Sequence, residues 1–157
     1  MTSPGRSSSA ASPLTRLVSG FTDATLTASE WTHEAHLAVG TWHVARLGRD
    51  AALEELQRLI PRLNLALGNV NDDHHGYHDT ITRAYVTLIA DFVDAERRGT
   101  PTPPSDESLV RAVLAHPLAR KDALLRFYSR ERLMSVEARR EWVEPDLCAL
   151  GVPVLES

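Results

Sequence analysis

The chain has 157 residues, 43% of them hydrophobic and 24% charged, with a formal net charge of −4 at pH 7. That describes one globular domain, long enough to bury roughly two-thirds of its unfolded surface. No run approaches the ~18 consecutive apolar residues of a membrane span, and no cationic excess invites nucleic acid. A single cysteine, Cys148, excludes a disulfide framework and a thiolate metal cluster. The Ser/Ala-rich start lacks the apolar core of a signal peptide, so a cytoplasmic location is expected.

Residues 1–20 are expected to form a disordered tail, small and polar through Pro13. Residues 21–157 are expected to form one all-α domain, because several stretches carry helical period and none alternates as a strand would. The first strong helix is predicted from Thr27-Ala28-Ser29-Glu30, a capping-box pattern flanked by Leu26 and Trp31 as a hydrophobic staple. It runs to about Leu47, with Gly48 at its C-terminal turn. Asp50 is predicted to cap a second helix, Ala51 to about Leu67, kinked at Pro61. Turn residues fill 68–76. A third helix, Tyr77 to about Arg98, carries Ile81, Ala84, Tyr85, Leu88, Ile89 and Phe92 on one stripe. After a proline-rich connector, Ser105 caps a fourth helix that stops near His116. Two shorter helices follow, about 118–129 and 136–143, the latter capped by Ser135. A compact helical bundle is the economical architecture.

Of the seven histidines, six fall between His33 and His78. On the first helix His33, His36, Gly40 and His43 lie within about 80° of one another, flanked by Leu37, Val44 and Leu47. The opposite face holds Trp31, Ala35, Ala38 and Trp42, so this helix is apolar on two sides and should be central. The second apolar face also offers a homodimer interface. His78 shares its arc with the core stripe of the third helix. An i, i+3 pair brings two imidazoles within reach of one ion, and a third from a neighbouring helix would complete a three-nitrogen face. His33, His36 and His78 are the expected ligands of one divalent transition metal, Fe, Cu or Zn. His43 and His116 also fit structural roles, and His74 and His75 lie in the turn region.

The carboxylates add less. His33-Glu34-Ala35-His36 is one residue short of the H-E-x-x-H zinc-protease pattern. Asp79 fits either an acceptor behind an imidazole or a first-turn acid favoured by the helix dipole. Asp72 and Asp73 read as turn residues. Cys148 reads as a small apolar filler, and the charged run around Tyr128 as solvated surface.

The segments W-T-H-E-A-H-L (31–37), N-x-x-x-G (64–68), G-Y-H-D-T-I-T-R (76–83), Y-S-R-E-R-L-M-S (128–135) and A-R-R-E-W-V-E-P-D-L (138–147) together resemble a family of small, mostly uncharacterised bacterial helical proteins. In that family the third segment usually reads G-Y-H-E-T-x-T, and this chain has Asp79 in place of the Glu. The resemblance covers about residues 30 to 150. It implies importance for His33, His36, Asn64, His78, Thr80 and Thr82, and implies no particular reaction.

The expected function is a small metal-dependent enzyme acting on a small metabolite. Its pocket would lie between the first and third helices, with Asp79, Thr82 and Tyr85 as catalytic candidates and Asn64, Trp42 and His43 as substrate-binding candidates. The alternative is a non-catalytic protein holding a small ligand or haem in the same cavity.

Overall fold

The structure, a computed structural model, describes residues 11–151. Among these residues it is all-α: α1 (Pro13–Asp23), α2 (His33–Leu47), α3 (Arg49–Ala66), α4 (Asp79–Arg98), α5 (Asp106–Ala115), α6 (Arg130–Leu133) and α7 (Val136–Arg140), with 3₁₀ turns at Pro117–Ala119 and Ala123–Arg126. Among the described residues no helix is long and apolar enough to cross a membrane.

Helix α2 is the hub, packed against α1, α3, α4 and α5. This is why it is apolar on two faces: Ala35, Leu37, Ala38, Val39 and Val44 are all buried. Gly48 ends α2 and begins α3 at φ 83°, a left-handed conformation that glycine adopts without steric cost. The expected cap at Asp50 is not used. Gly48 stands at the N-cap of α3, and Asp50 pairs with Arg49 on the surface. Helix α4 serves two cores. Val86, Ile89 and Val93 join the main cluster around Phe21, Leu59, Leu63 and Val113. Ala84 and Leu88 join a second cluster with Leu124, Phe127, Tyr128 and Val143.

The structure corrects several expectations. Residues 13–20 belong to α1 rather than to a tail: the Ser12 hydroxyl accepts from Thr15 N at 3.1 Å, Pro13 opens the helix, and Phe21 is fully buried. The expected disorder of residues 1–10 lies outside the described residues. Thr27 does not begin a helix. Its N–H and hydroxyl both donate to Glu30, at 2.8 and 3.1 Å, and close an isolated turn. The cap of α2 is Thr32, whose hydroxyl accepts from Ala35 N at 3.1 Å. The predicted helix at 118–129 is two 3₁₀ turns separated by extended backbone at Arg120. A straight helix would set Leu118 about 180° from Phe127, yet both are buried. Cys148 is exposed, and its thiol donates to the Arg126 carbonyl. Tyr128 is fully buried, its hydroxyl donating to the Val143 carbonyl at 2.8 Å.

Candidate functional site

A cavity of about 310 Å³ opens between α2, α3 and α4, near the lower end of the roughly 300–1,000 Å³ range of small-molecule sites. Its apolar wall is Leu37 and Gly40 of α2, Leu56 and Ile60 of α3, and Ile81, Val86 and Ile89 of α4. Trp31, His33, His36, Thr82 and Tyr85 complete it, and no Asp, Glu, Lys or Arg among the described residues lines it. The sequence placed His33, His36, Thr82 and Tyr85 around such a space. It set Trp31 on the face opposite the histidines, whereas Trp31 stacks on His36 beside the cavity, and it missed Val86, Leu56 and Ile60. For the last two the i, i+4 apolar spacing on the second helix was the available signal.

His33 and His36 sit in the first turn and a half of α2 because Thr32 takes the capping role ahead of them. His33 Nε2–H donates to the Ala119 carbonyl at 2.7 Å, and its ring lies edge-on to Tyr85 at 6.1 Å. His36 Nδ1–H donates to the Thr32 carbonyl at 2.8 Å. A carbonyl can only accept, so each neutral ring keeps its proton on the bonded nitrogen. That leaves His33 Nδ1 and His36 Nε2 as bare acceptors, with no hydrogen-bond partner among the described residues. His36 stacks on Trp31 at 3.7 Å, and Trp31 stacks on Phe21 at 5.2 Å. His36 is exposed at the cavity mouth, but the stacked Trp31 still desolvates one face of the ring. Desolvation lowers the His36 pKa below the usual imidazole value, against the opposing bond to Thr32 and with help from nearby His33. The Trp31 indole N–H is buried with no partner among the described residues.

The third expected ligand is placed elsewhere. His78 is the N-cap of α4, with extended backbone at φ −132° and ψ 110°. Its Nδ1 accepts from Ile81 N at 3.1 Å, and its Nε2–H donates to the Leu133 carbonyl at 2.8 Å. Both nitrogens are committed to the main chain, so the expected three-imidazole face is not assembled. Among the described residues no group of three or more His, Cys, Asp or Glu could hold a metal ion. Burial is the largest cause of a lowered His78 pKa.

The residues after His78 are likewise architectural. Asp79 accepts from the Tyr77 hydroxyl at 2.7 Å and from Gln57 Nε2 at 3.0 Å, and lies 3.7 Å from Arg83. Burial, then Asp79, raises the Tyr77 pKa. Thr80 is fully buried; its hydroxyl donates to the Glu141 carbonyl at 2.8 Å and accepts from Val143 N at 3.1 Å. The Thr82 hydroxyl donates back to the His78 carbonyl at 2.9 Å. The Tyr85 hydroxyl donates to the Arg120 carbonyl at 3.0 Å; burial first, then Asp122, pushes its pKa up to about 12.

The remaining candidates lie off the cavity. Asn64 donates to Asn71 Oδ1 at 3.0 Å, and the same oxygen accepts from Tyr77 N at 2.9 Å, so Asn64 helps clasp the loop before α4. His43 is buried on another side of α2, its Nδ1–H donating to the Val39 carbonyl at 2.8 Å and its ring edge-on to Phe21 and Trp42. The Arg46 guanidinium lies over Trp42 at 5.2 Å. His74 and His75 are exposed. His116 accepts from Leu118 N at 3.0 Å and caps a 3₁₀ turn.

No protein-family model, no curated protein and no solved structure matches the chain.

Proposed function

We propose that the protein binds a small, largely apolar molecule in the cavity between α2, α3 and α4, oriented by His33 and His36. The observation that carries this reading is the pair of imidazoles on one cavity wall that is uncharged among the described residues, each with one nitrogen engaged by a carbonyl and the other without a hydrogen-bond partner among those residues. His33 is half-buried and His36 exposed, so water can meet their free nitrogens in the open cavity, and a ligand with a matching donor would replace that water while burying its apolar part against the walls.

The same hydrogen bonds favour a second reading, a metal-dependent enzyme for a small metabolite. Imidazoles that bind metals usually donate the other N–H to a carbonyl or carboxylate behind them, as His33 and His36 do to Ala119 and Thr32. One Zn, Fe or Cu ion held by this pair would supply Lewis-acid or redox chemistry, with Thr82 and Tyr85 lining the substrate's side. His78, with no free nitrogen, does not fit as a third ligand.

The test compares untagged wild type with the His33→Ala/His36→Ala double variant, by elemental analysis and by ligand-observed NMR against a fragment library. Mutually competitive fragments that bind wild type and not the variant support the binding reading. About one equivalent of metal, lost in the variant, moves the conclusion to the metalloenzyme. Neither binding nor metal refutes both.

A further inference from the structure

The cavity's polar groups share one character. The Thr82 hydroxyl hydrogen goes to the His78 carbonyl and that of Tyr85 to the Arg120 carbonyl, while the N–H groups of His33 and His36 go to Ala119 and Thr32. The indole N–H of Trp31 is sealed in protein. What these side chains have left to offer is lone pairs. Among the described residues no Lys or Arg lines the cavity to hold an anionic ligand, and no carboxylate to hold a cationic one; a charge buried against these walls without a partner would be costly.

Size narrows the ligand further. An engineered apolar cavity of roughly 150 Å³ holds benzene; this one, at about 310 Å³, has room for two fused rings. Gly40 shapes the wall. Glycine is a poor residue for the middle of a helix, and crowding does not require it here. A Cβ at position 40 would meet only Ile89 Cδ1, at an ordinary 3.5 Å. Alanine would fit and favour the helix, so what glycine adds is open space and a bare patch of backbone against which a flat ring can lie.

Resting on the binding reading above, we infer that the ligand is a flat, uncharged molecule of about two fused rings. It donates an N–H or O–H to His33 Nδ1 or His36 Nε2, and Gly40 sets how deeply it enters. Gly40 is thus a specificity-determining residue.

Three probes of matched size separate the possibilities: indole, which donates; quinoline, which only accepts; and 2-naphthoate, which is anionic. Each is titrated calorimetrically into the full chain and into Gly40→Ala, alongside thermal melts of both proteins. Indole should bind wild type about tenfold or more tighter than quinoline, which leaves the imidazole lone pairs unmatched, and 2-naphthoate should bind more weakly than indole. Gly40→Ala should melt no lower than wild type and lose about tenfold or more of its indole affinity. Equal binding of indole and quinoline overturns the donor class while leaving the cavity a ligand site. Undiminished indole binding by Gly40→Ala overturns the role of that residue. If none of the three binds, the ligand class fails; the proposed function fails with it only if the fragment library is also blank.

Discussion

The starts of α2 and α4 look alike in sequence and work differently. Both follow a polar turn and both carry histidine. At α4 the cap is His78 itself, so one ring nitrogen holds Ile81 N and the other holds the Leu133 carbonyl. At α2 the cap is Thr32, and the histidines that follow are free of that duty. Each of them donates one N–H to a carbonyl and keeps one nitrogen in reserve. Which residue caps the helix therefore decides whether a histidine spends both ring nitrogens on the main chain or only one.

The strongest way to break that contrast is to remove each ring. His78→Ala loses a cap and strands a buried carbonyl, so denaturant unfolding should show a cost of about 2–4 kcal/mol. His36→Ala should cost less than about 1 kcal/mol, because it removes a partly exposed ring whose single bond is local. Equal costs would erase the difference between the two helix starts.

The next effect is on pH dependence. Burial is the largest cause of lowered pKa values at His36, His43, His78 and His116. The unfolded chain therefore binds more protons than the folded one below about pH 6.5. Their contribution is intact above that pH and is lost as pH falls from there through the folded-state values. Unfolding free energies at pH 7.5 and 5.5 should differ in that direction; a protein equally stable at both would contradict the desolvation of these rings.

Thr80→Val should cost about 1–3 kcal/mol by leaving the Glu141 carbonyl and Val143 N–H unsatisfied, with faster amide exchange at Val143. This sharpens the contrast by showing that the α4 start anchors the C-terminal segment. The smallest effect has the opposite sign: Gly40→Ala should stabilise the protein by up to ~1 kcal/mol in thermal or denaturant unfolding.

Much of the fold was legible where a local signal had no competitor. Ser105 and Ser135 cap their helices as expected, each accepting from a backbone N–H three residues on. The apolar stripe of α4 and the two-faced character of α2 also stand as read. The start of α2 was misread because Thr27 and Thr32 both suit a cap, and the nearby Glu30 captures the Thr27 N–H and hydroxyl. The pocket lining from His33, His36, Thr82 and Tyr85 followed from helical period. His78 did not follow, because moving it from inside the helix to the cap redirects its ring. Its partner, the Leu133 carbonyl, is 55 residues away and belongs to the main chain, which leaves no trace in side-chain identity. The same holds for the carbonyls of Ala119 and Arg120 that engage His33 and Tyr85.

The most direct measurement is long-range ¹H–¹⁵N NMR of the imidazole rings at pH 7.5, before and after adding indole or Zn²⁺. His78 should carry its proton on Nε2 and stay unchanged on either addition. His36 should carry its proton on Nδ1, with its Nε2 resonance shifting when a partner arrives. A His78 ring that responds while His36 does not, or a His36 proton found on Nε2, would contradict the division between architecture and site.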